Sequence, residues 1–122
     1  MIGILTTQGG YNMAIYKTTD NAKDEHLVTN WYQNSFEQCS DAVKRVCSKY
    51  GYKLKYENKA HGEFIFERAR DTLDVQIVSL NRRDTAIDFV INSNVFFDFG
   101  RSKAVIEDLY ERLRNELNYF RK

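Results

Sequence analysis

Several features that would place a chain in a specialised class are missing from this sequence. No apolar run approaches the ~20 residues that a membrane-spanning helix needs. The first ten residues carry no basic side chain ahead of an apolar stretch, as a secretory signal would. No Asn-x-Ser/Thr acceptor for glycosylation occurs. We therefore expect a cytoplasmic protein that does not engage a membrane.

Cysteine is scarce, and the two cysteines are not spaced for a bond to each other. Cys39 and Cys47 are eight residues apart in a segment that we interpret as one helix. At about 1.5 Å of rise per residue their Cα atoms would lie roughly 12 Å apart, whereas a disulfide requires about 4.4–6.8 Å. Two free thiols are typical of a reducing compartment. Zinc requires paired ligands, which this sequence lacks, so we expect no metal and no cofactor.

Neither sign of charge is in excess. Eighteen Lys and Arg residues stand against seventeen Asp and Glu, which gives a formal charge of +1 and argues against a dedicated nucleic-acid binder. With 122 residues, of which 43% are hydrophobic and 14% aromatic, the chain is long and apolar enough for one domain whose core is rich in rings.

The first 25 residues leave two interpretations open. Residues 1–12 are either an extension ahead of a start-like segment at Met13, or part of a hairpin in which residues 2–7 and 13–18 flank a Gly-Gly turn. Residues 19–25 are polar and rich in turn formers, which predicts a loop. We divide the chain into residues 1–25, an N-terminal extension or hairpin plus polar loop, and residues 26–122, a single α+β domain.

A strand and a capped helix open this domain. Residues 26–34 are rich in β-branched and aromatic side chains, which predicts a strand. Ser35 and Gln38 then have the spacing of a capping box, and apolar residues recur at intervals of three or four from Phe36 to Tyr50. Gly51 supplies the left-handed residue that commonly ends a helix. The pattern predicts a helix over residues 36–50.

Alternation replaces the helical period after Gly51. Apolar side chains take every second position in four successive runs joined by short turns, at Tyr52, Leu54 and Tyr56, at Phe64 and Phe66, at Leu73, Val75 and Ile77, and at Ile87, Phe89 and Ile91. Such runs are typical of an antiparallel meander with one apolar face. An amphipathic stripe over residues 101–120 predicts a final helix. The predicted fold is α+β: an antiparallel meander sheet of four to five strands with two helices packed on one face.

The start of the final helix carries the one local motif with a binding mechanism. Gly100, Arg101, Ser102 and Lys103 lie where free backbone N–H groups and the positive end of the helix dipole attract anions. Arg101 can hold a phosphate or carboxylate at two points, while Ser102 offers a hydroxyl and Lys103 a point charge. The alternative is that they are solvated residues of a capped helix, offset by Glu107. We take the four residues as a candidate anion site.

Motifs for catalysis and for RNA binding are incomplete. Asp98-Phe-Gly100 matches a kinase triplet by letter, but the chain has no room for the other loops that a kinase needs. We interpret the triplet as the lead-in to the final helix, with Asp98 or Gly100 near its N-cap. His26 and His61 have no nucleophilic partner recognisable in the sequence. The run Gly62-Glu-Phe-Ile-Phe66 is faintly similar to an RNA-recognition strand, but its neighbouring acids would oppose a phosphate backbone. We assign no catalytic residue and do not expect a nucleic-acid partner.

The uncovered face of the predicted sheet offers a surface for self-association. It carries mostly polar side chains, but Ile65, Val78 and Val90 could form an apolar centre with charged residues around it, as interfaces are organised. A two-fold dimer is the commonest homo-oligomer. The alternative is that three aliphatic side chains on a solvated sheet are ordinary. The sequence raises a homodimer through the open sheet face as a hypothesis.

Residues 35–117 resemble small bacterial cytosolic domains of the helix–four-strand–helix kind, which are similar in plan to TATA-box-binding-protein-like folds. The resemblance rests on Tyr50-Gly51-Tyr52 at the helix end, the strand from Gly62 to Phe66 and the lead-in from Phe97 to Lys103. It implies the layered α+β fold and no particular activity.

These observations favour a non-enzymatic binding or protein-interaction module whose partner is a protein or a small anionic ligand. The first alternative is a small enzyme that acts on an anionic substrate. The second is an RNA-binding domain. Anion binding at the final helix would favour the binding module or the small enzyme. Salt-dependent retention of RNA would favour the RNA-binding domain.

Overall fold

Four consecutive antiparallel strands form the centre of the fold, as the alternating sequence predicts. The computed structural model describes residues 14–94 and 100–121. Each central strand pairs with the next along the chain. They are β3 (Lys53–Asn58), β4 (Glu63–Arg68), β5 (Asp71–Ser79) and β6 (Asp84–Ser93).

Three shorter strands extend the sheet beyond β6. β1 (Ala14–Lys17) and β2 (Asn30–Gln33) pair antiparallel with different parts of the β6 edge that lies away from β5. β7 (Tyr119–Arg121) pairs with β2. The described sheet therefore has seven strands, so the predicted four to five is an approximate count. β1, which precedes position 26, therefore belongs to the same sheet as the strands that follow it.

Two helices cover one face of this sheet. α1 (Phe36–Tyr50) begins with the predicted capping box: the Ser35 hydroxyl accepts the backbone N–H of Gln38, and the Gln38 side chain accepts that of Ser35. It ends at Gly51, whose φ of 108° is left-handed. α2 spans Arg101–Glu116. Neither described helix is long and apolar enough to cross a membrane.

One core lies between the sheet and both helices. Inward-facing side chains of the central strands pack against the apolar stripes of α1 and α2 in a single cluster. Its buried members include Phe64, Phe66, Leu73, Val75, Ile87, Phe89 and Ile91 from the strands and Val43, Ile106, Leu109 and Leu113 from the helices. The predicted α+β class and the placement of both helices on one face are confirmed.

The first predicted strand is shorter than residues 26–34. Glu25–Leu27 form a short 3-10 helix that includes His26, and the strand begins only at Asn30. The backbone groups of Leu27 and Thr29 bond to the preceding loop instead of β6: the N–H of Thr19 donates to Leu27 O and the N–H of Thr29 donates to Thr19 O. These loop contacts use the backbone groups that a longer strand would need.

The last helix is also shorter than predicted, because it ends at Glu116 and not at Phe120. Leu117 is extended, with φ −117° and ψ 166°, and the chain continues into β7. The N–H of Gln33 donates to Asn118 O at 2.7 Å, and the N–H of Asn118 donates to Asn34 Oδ1 at 2.7 Å. Phe120 therefore leaves the helical stripe and is 40% exposed.

A bulge in β3 overturns the predicted apolar face of that strand. Leu54 lies opposite Phe66, but Tyr56 lies opposite Ile65, so Lys55 is an extra residue. Such a bulge reverses the side to which the following residue points. Tyr56 is thereby placed on the uncovered face with Ile65 and is 45% exposed, and Leu54 at the sheet edge is 41% exposed.

Two sequence predictions lie outside the described residues. The choice between an extension and a hairpin concerns residues 1–13. Asp98, which was considered for the start of the last helix, falls within residues 95–99. Gly100, the other candidate, is the N-cap of α2.

Candidate binding surface

The four residues of the predicted anion site have different surroundings at the start of α2. Gly100 has a left-handed φ of 81° and gives no side-chain cap. Arg101 is exposed, whereas Ser102 is buried. Lys103 Nζ lies 2.6 Å from Asp24 Oδ2, and this hydrogen bond is the main reason that the Lys103 pKa is raised. The lysine charge is thus balanced by the loop before β2, and anion binding here stays a prediction.

The two cysteines belong to the core. Both are free, and Cys39 and Cys47 are 0% and 1% exposed. Burial raises the pKa of each thiol to about 12, and a protonated, buried thiol is a poor nucleophile. His61 lies exposed in the turn after β3. Within residues 14–94 and 100–121 no three His, Cys, Asp or Glu side chains are grouped as metal ligands would be.

A polar network ties the β1–β2 connection to β6. The Thr18 hydroxyl donates to Asp88 Oδ1 at 2.6 Å and accepts from the N–H of Phe89 and the hydroxyl of Tyr110. The Thr29 hydroxyl donates to the same Asp88 oxygen at 2.5 Å. Burial raises the pKa of Asp88, and the two threonine hydrogen bonds oppose that rise. The network's groups are paired with one another, as structural polar groups are.

The strand register orders the face of the sheet opposite the helices, which we call the open face, into rows that cross the strands. From the β4–β5 turn towards the β5–β6 turn, these rows are Lys53–Glu67–Thr72–Asn92, then Tyr56–Ile65–Asp74–Val90, then Asn58–Glu63–Gln76–Asp88, and then Val78–Ala86–Trp31. Asp74 lies between Ile65 and Val90, and a row with two acids lies between them and Val78. The predicted apolar centre of Ile65, Val78 and Val90 is therefore wrong, because charged residues separate its members.

The middle of the open face is acidic. Asp74 and Glu63 occupy adjacent rows on neighbouring strands. Burial, followed by repulsion from Glu63, raises the pKa of Asp74 to about 6. The carboxyl side chains of Glu63, Asp74 and Asp88 therefore lie in neighbouring rows of the open face, and this region disfavours an acidic partner.

The β5–β6 end of the sheet exposes aliphatic and basic side chains together. Val78 and Leu80 are 46% and 66% exposed. Arg82 and Arg83 are exposed and form no ion pair with any residue in the described ranges. We call these four residues the hairpin surface. An adjoining cavity of about 550 Å³ is lined by Gln33, Asn81, Arg82, Arg83 and Asp84.

The turn that carries the two arginines is held by side-chain hydrogen bonds. Asn81 Oδ1 accepts the backbone N–H groups of Arg83 at 2.8 Å and Asp84 at 2.9 Å. Asn81 Nδ2 donates to Asp84 Oδ2, and the N–H of Leu80 donates to Asp84 O. Asparagine commonly fixes turns in this way. The backbone beneath Arg82 and Arg83 is therefore ordered before any partner arrives.

The sequence pattern placed Val78 in a predicted apolar centre but assigned no binding role to Leu80, Arg82 or Arg83. A signal was present, since Val78 and Leu80, which directly follows β5, continue the alternate positions that hold polar residues earlier in the strand, at Asp74 and Gln76. An aliphatic residue on the polar phase of a strand, followed by two arginines, marks an exposed apolar patch with a basic border.

Comparison of the chain with protein-family models, with curated proteins and with solved structures found no match. The resemblance to TATA-box-binding-protein-like domains therefore stays a prediction.

Proposed function

We propose that the protein is a non-enzymatic protein-interaction module and that the hairpin surface is its binding site. The observation that carries this proposal is the exposure of Val78 and Leu80 beside two arginines that have no acidic partner among the described residues. Binding sites for proteins combine an apolar centre with a polar border, and arginine is enriched in them.

The ordering of the turn supports this assignment. Binding costs free energy when a loop must be fixed in one conformation, and a loop that is already ordered avoids part of that cost. The hydrogen bonds of Asn81 to Arg83 and Asp84 fix the turn, and the paired strands β5 and β6 fix Val78. The contact residues are thus presented by an ordered scaffold.

The charge of the surface defines the partner. A guanidinium pairs best with a carboxylate, which it can hold through two parallel hydrogen bonds. Asp84, the acid closest in sequence, already accepts a hydrogen bond from Asn81. We infer a protein partner that presents Asp or Glu beside aliphatic side chains.

A second copy of the chain fits the open face less well than an acidic protein partner fits the hairpin surface. Face-to-face packing would bring the acidic middle of one sheet, at Glu63, Asp74 and Asp88, close to that of the other, and like charges in an interface are unfavourable. Sedimentation of the wild type beside Val78→Asp tests this occupant. A dimer that the substitution dissociates would replace our partner assignment with self-association.

Peptide display on the immobilised protein tests the proposal directly. Selected peptides should be enriched in Asp or Glu next to aliphatic residues. Their affinity should fall about tenfold or more in the double variant Arg82→Gln/Arg83→Gln, and also in Leu80→Ser, because these changes remove the pairing and the apolar contact. Trp31, the single tryptophan, is in the row of Val78 and Ala86, so its emission provides a second measure of binding.

The double variant Lys53→Gln/Lys55→Gln is the matched control, because it removes two positive charges from the opposite end of the open face. It should bind the selected peptides as tightly as the wild type. Equal losses in both double variants would show non-specific attraction and overturn the proposal. Peptides without acidic residues that bind through another surface would also overturn it.

We also infer a cytoplasmic setting for this module. Two thiols that are buried and not joined to each other support it, since free cysteines are typical of reducing compartments.

A further inference from the structure

A second cavity lies at the opposite end of the open face from the hairpin surface. It has a volume of about 410 Å³ and is lined by Lys53, Lys55, Glu67, Arg68, Ala69, Thr72 and Asn94. Thr72 and Val78 are six residues apart on β5, which corresponds to roughly 20 Å. We propose that this cavity, the lysine cavity, binds the phosphate group of a small organic phosphate.

The bulge in β3 brings the two lysines to the same cavity. Lys53 lies opposite Glu67, and Glu67 lies opposite Thr72, which places all three on the open face. Lys55 is the extra residue of the bulge, and its Nζ lies 3.8 Å from Glu67 Oε1. Both ammonium groups therefore lie on one side of an edge strand, with a hydroxyl residue two strands away.

The charges at the cavity favour an anion. Lys53 forms no ion pair with any residue in the described ranges. Among residues 14–94 and 100–121, Lys55 has only the long, exposed contact to Glu67, which a ligand can displace because exposed pairs are weak. The Arg68 guanidinium is engaged by Asp71 through two hydrogen bonds of 2.9 Å. The positive charge of the two lysines therefore exceeds the negative charge of Glu67, the one carboxylate among the described lining residues.

The groups present suit a phosphate. Lysine binds phosphate as a point charge, and two ammonium groups balance a dianion. The Thr72 hydroxyl makes no hydrogen bond to a described residue, so it can donate to a phosphate oxygen. Asn94 is fixed at the rim, where its side chain donates to Ala69 O. A volume of about 410 Å³ leaves room beyond the phosphate, which is why we assign an organic phosphate.

This inference is independent of the proposed function, because none of its residues belongs to the hairpin surface. An amide NMR titration of the full chain at constant ionic strength tests it, with phenyl phosphate, inorganic phosphate and benzoate as probes. Phenyl phosphate should shift the amides of residues 53–55 and 67–72 saturably. Inorganic phosphate should shift the same amides at higher concentration, and benzoate should bind more weakly than phenyl phosphate.

Matched variants separate a site from general attraction. The affinity for phenyl phosphate should fall about tenfold in Lys53→Gln/Lys55→Gln. It should stay unchanged in Arg82→Gln/Arg83→Gln and in Lys49→Gln, an exposed lysine of α1. Equal losses in all three variants, shifts that never saturate, or equal affinity for benzoate and phenyl phosphate would each overturn the proposal. Amide spectra of the free variants show that each remains folded.

Discussion

Two glycines with left-handed backbone occupy very different surroundings. Gly62 has φ +66°, and a Cβ placed there would overlap the carbonyl oxygen of Ile77. That close approach accompanies a backbone hydrogen bond, since the N–H of Ile77 donates to Gly62 O at 2.8 Å. Gly51 has φ +108°, but a Cβ there would meet nothing within 4 Å. The first glycine is required by both conformation and space, and the second by conformation alone.

We therefore expect Gly62→Ala to be the more destabilising of two alanine substitutions. Gly51→Ala should lower the free energy of unfolding by about 1–2 kcal/mol, which is the cost of a left-handed side-chain residue. Gly62→Ala should lower it by about 1–3 kcal/mol more, because the strands must also move apart. Urea denaturation of both variants measures the difference. Equal losses would mean that the backbone at Gly62 yields without cost.

Asp74 gives the open face a dependence on pH. Its folded-state pKa of about 6 exceeds the value near 3.9 of an unfolded aspartate. The folded state therefore binds more protons across this window, so the contribution of Asp74 to the free energy of unfolding falls as the pH rises from about 4 to about 6.

Asp74→Asn should remove this loss of stability. At about pH 7.5 the variant should be more stable than the wild type, by less than about 1 kcal/mol because solvent screens a partly exposed pair. At about pH 4 the two proteins should be nearly equal, because Asp74 is then protonated in the folded state. Denaturation of both proteins at the two pH values measures this difference in stability. Asp41→Asn, exposed on α1, is the control for the loss of one carboxyl group away from the open face.

At the scale of the element, local sequence predicts what local interactions determine. The capping box at Ser35 and Gln38, the stripe of α1 and Gly51 all act within one helix, and each was predicted correctly. The bulge at Lys55 was not predictable in this way. Alternation in the sequence assigns Tyr56 to the core, but its pairing with Ile65 depends on a neighbouring strand. A period alone carries no information about register.

The end of α2 illustrates the same limit. Leu117 and Phe120 continue the apolar period of the helix in the sequence, yet they leave it because residues 119–121 pair with β2. Asn118 and Gln33, which make that junction, are far apart in the sequence. Pairing between distant segments therefore overrides a helical pattern that is locally complete.

The two sides of α2 should respond differently to alanine. Leu109 and Leu113 are fully buried against the sheet, so Leu→Ala at either should lower the free energy of unfolding by about 2–5 kcal/mol. Glu111 is exposed, and Glu111→Ala should change it by less than about 0.5 kcal/mol. Thermal and urea denaturation measure these values. A large effect at Glu111 would contradict the orientation of the helix.

At the scale of the whole molecule, one apolar cluster joins the sheet to both helices. Cys39 and Cys47 lie inside it, and the pKa of each thiol is raised to about 12 by burial. Access to these thiols therefore requires opening of the core and reports how the molecule unfolds.

Thiol titration should accordingly separate the folded and unfolded protein. We expect negligible reaction of either cysteine with Ellman's reagent under native conditions, because a buried protonated thiol is unreactive. Denaturation without a reductant should release both thiols. Fast reaction of one cysteine in the folded protein would indicate local opening of α1, and recovery of a Cys39–Cys47 disulfide would contradict the helix between them.

The candidate binding surfaces depend on pairing between distant strands more than the core does. The sequence predicted which face of each helix is buried, because burial follows a local period. It did not predict that Asp74 separates Ile65 from Val90, or that Lys53 and Lys55 share a cavity with Thr72. These groupings arise from strand register, which is fixed by contacts between segments distant in the chain.

The ends of the sheet bear on solubility. An outermost strand exposes unpaired backbone groups, which can recruit strands from other molecules and start fibre growth. β3 lies at one end of the strand order, and its bulge and lysines at positions 53 and 55 make it an irregular, charged template. β7 lies at the other end and spans only three residues. A strand added at either end of the described strand order would gain few hydrogen bonds or bury lysine charge, which opposes edge-to-edge aggregation there.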